Sequence, residues 1–288
     1  MLEIVSPLRY PGGKSRAVSK ILPHIPPGLK EFREPFVGGG SVFLAVKQTL
    51  CSCTHFAISD LNYDLYCFWQ EAKTNNAALY CEIRKIKESA ESGRSLFARY
   101  TQNYNTSSEL ERAVRFFVLN RITFSGTVDS GGYSEKAFRD RFTFSSIERI
   151  RPLQSILADV DIKNLSYEQE LSAAGDNLFL FLDPPYFCTA KSRLYGKRGA
   201  LHTGFNHEKF AEDMKKCNHQ WLITLDDSPI IRELFSFAYI TEWKLQYGMN
   251  NYKQEKAAIG RELFISNYKL KVPKNYNLSI STLLQDMN

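Results

Sequence analysis

No stretch of this chain approaches the roughly 18 uninterrupted apolar residues that a membrane-crossing helix requires, so no spanning segment is expected. The opening residues, MLEIVSPLRYPGGK, lack the apolar core and small-residue cleavage site of a secretory leader. A cytoplasmic location is expected on that ground. Metal-ligand spacing is missing as well. The six cysteines (Cys51, Cys53, Cys67, Cys81, Cys188 and Cys217) form no CxxC pair and no histidine-linked zinc pattern, so reduced thiols are the expectation. Repeats, low-complexity tracts and blocks of like charge are absent too. Together these absences argue against a solenoid, a tailed adaptor or a disulfide scaffold, and for a compact enzyme.

What is present is ordinary in bulk. The 288 residues, 43% hydrophobic and 24% charged, suffice for one sizeable α/β core and a smaller insertion. A net charge of +6 is compatible with a polyanion partner without identifying one. The 13% aromatic share adds weight, because stacking platforms beside basic side chains suit nucleic acid.

Buried strands are predicted over Glu31–Pro35, His55–Ser59, Asn177–Leu182 and Gln220–Leu225. Runs such as NLFLFL and QWLITL are too apolar to keep one face wet, as in parallel strands covered on both sides. Helical patterns cover Ser41–Leu50, Asn206–Cys217 and Pro229–Phe235, and Tyr239–Tyr247 with Arg261–Tyr268 would pair as a terminal antiparallel hairpin. Between Asn62 and Asp159 strand signals vanish. Amphipathic stretches such as NNAALYCEIRKIKESAE and SELERAVRFFVLNRI predict a helical insertion there. We therefore expect a catalytic domain over 1–61 and 160–288 and an insertion over 62–159.

In open α/β sheets ligands gather beyond the carboxyl ends of the strands. The first strand ends in Phe36-Val37-Gly38-Gly39-Gly40, a backbone free of side-chain obstruction that runs straight into a helix. The second ends at Asp60, placed to accept from ribose hydroxyls or simply to cap a helix. The third ends in Asp183-Pro184-Pro185-Tyr186. Each proline removes an amide donor and stiffens the turn, leaving acceptors only: the Asp183 carboxylate and the Pro184 carbonyl. An aromatic amino group needs such a surface, because its nitrogen is a poor nucleophile until acceptors hold its hydrogens. Positive charge growing on that nitrogen is then stabilised by the carboxylate, and Tyr186 can stack on a base drawn out of its helix.

The sequence resembles the Dam-type family of N6-adenine-specific DNA methyltransferases (D12 class, alpha group). The resemblance rests on RYPGGK (Arg9–Lys14), EPFVGGG (Glu34–Gly40), SDLNYDL (Ser59–Leu65), LNR (Leu119–Arg121), DPPY, TLDDSP (Thr224–Pro229) and RELFISNY (Arg261–Tyr268), in family order along nearly the whole chain. It implies a Rossmann-like S-adenosylmethionine-dependent methyltransferase sheet carrying a mainly helical target-recognition insertion. S-adenosylhomocysteine would be the product, and no metal is implied. Duplex DNA would be the partner, with a separate restriction endonuclease where the role is restriction–modification.

By the same resemblance Tyr10, Gly12, Gly13 and Lys14 would touch the methionine end of the cofactor, Lys14 facing its carboxylate. Phe36, Gly38 and Gly40 would wrap the cofactor, Asp60 would bind its ribose, and Asp183, Pro184, Pro185 and Tyr186 would hold adenine, with Asp183 also lining the cofactor. Asn120, Arg121, Phe124 and Tyr133 would read DNA through base-edge and stacking contacts. The basic segment after DPPY, with Arg193, Lys197 and Arg198, would hold phosphates. After LNR the chain reads TVDSGGYS, without the arginine of members that act on GATC, so no recognition sequence is assigned.

Overall fold

A computed structural model describes residues 4–10, 12–102, 108–128, 131–187, 204–246 and 259–270. Its strands are β1 (Glu31–Glu34), β2 (His55–Ser59), β3 (Val160–Lys163), β4 (Leu178–Leu182), β5 (Gln220–Asp226), β6 (Tyr239–Gln246) and β7 (Ile259–Ser266). They form one seven-stranded sheet in the order β3-β2-β1-β4-β5-β7-β6. β1 to β5 run parallel, and β7 pairs antiparallel with both β5 and β6. This is the expected α/β sheet with its antiparallel terminal hairpin. The order reverses between β1 and β4, which lie in register from Glu31 opposite Leu178 to Arg33 opposite Leu180. A crevice therefore opens at the carboxyl ends of those two strands.

Helices α1 (Val18–Ile21) and α2 (Ser41–Thr49) flank β1. Between β2 and β3 come α3 (Tyr63–Thr74), α4 (Asn76–Ser89), α5 (Gly93–Thr101), α6 (Glu109–Ile122), α7 (Glu135–Arg141), α8 (Phe144–Glu148) and α9 (Leu153–Leu157). The remainder are α10 (Tyr167–Ser172), α11 (His207–Lys216) and α12 (Pro229–Leu234). Local chemistry explains several starts. Ser108 and Glu111 form a reciprocal capping box at the head of α6. Asn62 caps α3 by accepting from the amides of Asp64 and Leu65.

One strand escapes the sequence reading. β3 is only VDIK, pairs with β2 from Val160 opposite Phe56, and sits at the sheet edge with only Val160 fully buried. Too short and too polar for a period, it carries no strand signal. β1 differs in kind: Glu31, Arg33 and Glu34 are all buried. Arg33 is held there by Glu31 at 2.6 Å and by the carbonyls of Glu170, Ala173 and Ala174, so its charge is paired rather than stranded.

One hydrophobic cluster joins the sheet to the helices between β2 and β3. Phe32 and Phe56 of the sheet, Phe43 of α2, Phe68 and Trp69 of α3, and Phe116 and Phe117 of α6 all belong to it. A second cluster, on β4, β5, β7, α11 and α12, includes Phe210, Trp221 and Ile265.

Candidate active site

The glycine turn after β1 is built to be tight. Gly38 and Gly40 have φ of +46° and +66°, a region side chains avoid. A Cβ at Gly38 would stand 2.9 Å from the Tyr10 ring, and one at Gly40 would stand 2.7 Å from Trp69. Tyr10 thus lies against this turn, and its carbonyl accepts from the Gly13 amide at 2.9 Å. Trp69 secures the turn from below by donating Nε1–H to the Gly38 carbonyl at 3.1 Å. Asp60, at the end of β2, accepts from the Gly38 amide at 3.1 Å and the Asn62 amide at 2.9 Å. Lost hydration nevertheless pushes its carboxyl up to about 6. Phe36 stacks on Tyr167 with ring centroids 5.6 Å apart and meets Phe205 and Phe210 edge-on.

Across the crevice, Asp183 leaves β4 and meets Lys14. The ammonium donates to both carboxylate oxygens at 2.7 Å and to the Gly12 carbonyl at 2.9 Å. Thr224 of β5 donates to Asp183 Oδ1, also at 2.7 Å. Lys14 Nζ stands 4.9 Å from the centre of the Tyr186 ring, whose hydroxyl donates to Glu262 at 2.8 Å. The turn is braced on both flanks. The Phe187 amide donates to Asp226 at 2.7 Å, and His207 Nε2 lies 2.8 Å from the Pro185 carbonyl oxygen. Beneath it Glu34 is 3% exposed, with an Oε2 that has no hydrogen-bond partner. Burial first, and the Asp183 charge second, hold its carboxyl well above the usual range.

Residues expected at the methionine end of the cofactor and residues expected at the target base therefore meet directly, through Lys14 and Asp183. Sequence reasoning assigned no role to Thr224, Glu34, Asp226 or Glu262. A signal existed for two of them. Thr224 and Asp226 stand two apart on β5 and so share a face, beside the strand that ends in DPPY.

The expected DNA-facing residues divide. Phe124 is 68% exposed, free to meet a ring. Tyr133 is half-buried, donates its hydroxyl to Glu135 and lies under Arg94 at 5.3 Å. Asn120 is fully buried. Its side chain accepts from the Arg9 amide at 2.8 Å and donates to the carbonyls of Arg9 at 2.6 Å and Gly126 at 3.1 Å, so this amide holds the protein backbone. Arg121 is 4% exposed. Arg193, Lys197 and Arg198 lie outside the described residues.

Comparison with known proteins gives a consistent set. A family model described as D12 class N6 adenine-specific DNA methyltransferase matches residues 10–249. A DNA adenine methylase of Escherichia coli (strain K12) is 23% identical over 259 residues, 85% of this chain and 88% of its own length. The Type II methyltransferase M.CviBI of Paramecium bursaria Chlorella virus NC1A is 24% identical over 274 residues, 93% of this chain and 98% of its own. A DNA adenine methylase of Vibrio cholerae serotype O1 is 26% identical over 190 residues, 62% of this chain, and the match spans 64% of that relative's length.

Proposed function

Because the chain belongs to the D12 class N6 adenine-specific DNA methyltransferases, we propose that it methylates the N6 amino group of an adenine flipped out of duplex DNA, with S-adenosylmethionine as donor. The observation that carries this is the Asp183 carboxylate at the head of the crevice, gripped by Lys14 and Thr224 beside the Tyr186 ring. A carboxylate has roughly four acceptor positions. Lys14 and Thr224 take both on Oδ1 and Lys14 takes one on Oδ2, which leaves Oδ2 able to accept from an amino group. No described donor reaches the Pro184 carbonyl oxygen, the second acceptor of the turn. Tyr186, anchored through its hydroxyl to Glu262, would stack on the base.

The residues around the crevice fit an S-adenosylmethionine molecule. The glycine turn keeps main chain accessible and Asp60 supplies a carboxylate at the end of β2, while the three Lys14 donors are taken by Asp183 and the Gly12 carbonyl. When bound, that cofactor supplies a methyl group on a sulfonium, a leaving group that needs no activation. The protein's own part is to hold the amino hydrogens on Asp183 and Pro184 and to stabilise charge growing on N6, with Lys14 and Thr224 fixing the carboxylate in place. We assign target recognition to the helical stretch 62–159, with Phe124 and Tyr133 meeting bases. Among the described residues no helix is long and apolar enough to cross a membrane.

Asp183→Asn tests this reading. The amide keeps the shape but loses an acceptor and the charge, so transfer to duplex DNA should fall at least a hundredfold while S-adenosylhomocysteine still binds. Near-normal turnover would remove Asp183 from the chemistry. Asp183→Ala is the poorer probe: it strands a buried Lys14 ammonium, a loss on the order of 3–5 kcal/mol. Offering duplex DNA, RNA and a glutamine-bearing peptide in parallel fixes the substrate class, and sequencing DNA from expressing cells for modified adenine reads out the target.

A further inference from the structure

One face of β5 and β7 holds the turn that follows β4 at three points. Thr224 and Asp226 stand two apart on β5 and so point the same way. Glu262 of β7 lies directly opposite Asp226 in the antiparallel register, which puts its side chain on that face too. Thr224 donates to the Asp183 carboxylate at 2.7 Å, Asp226 accepts from the Phe187 amide at 2.7 Å, and Glu262 accepts from the Tyr186 hydroxyl at 2.8 Å. Three neighbouring side chains thus grip the first residue of the turn, its aromatic ring and the residue after it.

Stability alone does not ask for the grip on the ring. Asp226 and Glu262 are both buried, and two acids directly opposed across a sheet disfavour the pairing. An apolar pair would serve the sheet better, as Leu225 opposite Leu263 does at the adjoining position. Asp226 at least secures main chain. Glu262 secures a hydroxyl at the far end of a half-buried ring, which a phenylalanine could replace if packing were the only task. Lys14 Nζ, which holds both oxygens of Asp183, stands 4.9 Å from the centre of that same ring. Tyr186 is therefore tied to β7 through its hydroxyl and to the catalytic carboxylate through Lys14. With the hydroxyl pinned, the ring cannot swing without giving up a hydrogen bond to a carboxylate.

We propose that Glu262 is a positioning residue for methyl transfer. By pinning the Tyr186 hydroxyl it fixes the plane against which the flipped base stacks, and so the angle at which N6 meets Asp183. The proposal rests on the reading of this chain as an adenine methyltransferase. Glu262 acts through Tyr186 and needs no contact with substrate. Its loss should fall on kcat, because a bound base held slightly out of line reacts poorly, whereas duplex affinity is drawn largely from the phosphate backbone.

The test breaks one hydrogen bond from both ends, in the full chain. Tyr186→Phe keeps the ring and removes the donor; Glu262→Ala removes the acceptor. Each should lower kcat about tenfold, the order expected when a hydrogen bond to a charged acceptor is lost, with KM for duplex DNA and S-adenosylhomocysteine affinity unchanged. Glu262→Gln, whose amide oxygen can still accept, should recover much of the rate. The double variant should be no slower than Tyr186→Phe alone, since both changes remove the same bond. A duplex with 2-aminopurine at the target adenine should emit more strongly on Glu262→Ala than on the unaltered protein, because a ring left free to swing quenches the extruded base less. A purely structural defect would not raise that emission. Losses that multiply in the double variant, or unchanged emission beside a reduced kcat, would overturn the proposal. Should Glu262→Ala fail to fold, Tyr186→Phe and Glu262→Gln decide, and normal kcat in Tyr186→Phe overturns it. If the unaltered protein methylates no duplex DNA, the functional reading itself falls, an outcome visible before any variant is made.

Discussion

Lost hydration raises the Asp60 carboxyl from 3.8 to about 6 even though two backbone amides donate to it. An acid with a raised folded value contributes stability that is complete below its unfolded value and is lost as pH rises through the folded one. Ribose hydroxyls would favour its charged form, so ligand binding must expel the proton wherever the free site holds one. S-adenosylhomocysteine affinity is therefore expected to be level above pH 6 and to fall below it, approaching about tenfold per unit. Calorimetric titration at pH 5, 6 and 7.5 reads this, and Asp60→Asn should lose the step as well as affinity. Glu34 gives a companion test. Its carboxyl is raised by burial and by Asp183, so it too favours the folded state at low pH and ceases to as pH climbs. Glu34→Gln keeps the shape and removes the titrating proton, so it should flatten that decline, read as melting temperature against pH. A decline as steep as in the unaltered protein would mean that Glu34 is not the group responsible.

Among the elements, legibility followed apolar content. β4, LFLFL, and β5, QWLITLD, are buried nearly throughout, and such runs announce themselves in any window. α6 did so through the amphipathic pattern of SELERAVRFFVLNRI. β3 was invisible because edge pairing to β2 asks little of its side chains. The site itself was legible in its parts and not in its joins. Nothing local says that Lys14 pairs with Asp183, 169 positions away, or that Asn120 is used up on Arg9, 111 positions away. An LNR beside a glycine-rich loop looks like a polar contact surface until the third dimension supplies the Arg9 backbone. Asn120 now carries a structural prediction. Asn120→Ala leaves the buried amide and carbonyl of Arg9 and the Gly126 carbonyl without partners, each on the order of 1–3 kcal/mol. The urea midpoint should drop sharply with little change in m-value. A shift under about 0.5 kcal/mol, in the range of ordinary surface substitutions, would mean that Asn120 does not hold these segments together.

For the whole molecule the telling fact is that the sheet and the helices between β2 and β3 share one interior. Phe32 and Phe56 of the sheet pack in the same cluster as Phe116, Phe117, Ile147 and Leu153, and Trp69 of α3 reaches the glycine turn itself. Movement of the helices under DNA would thus be felt at the floor of the crevice, a physical route by which target binding could set the catalytic turn. It also means that these parts should not melt separately. Scanning calorimetry is expected to show one transition spanning sheet and helices, with the van't Hoff and calorimetric enthalpies in agreement. Excising 75–158 should bare Phe68, which packs on Phe116 and Phe117, rather than release a free-standing catalytic domain. Large fully buried aromatics cost roughly 3–5 kcal/mol apiece when their packing is removed, several times over in such a deletion and comparable with the entire stability of a domain. A shortened chain that stayed soluble, melted cooperatively and bound S-adenosylhomocysteine would show that the two parts are held by separate cores after all.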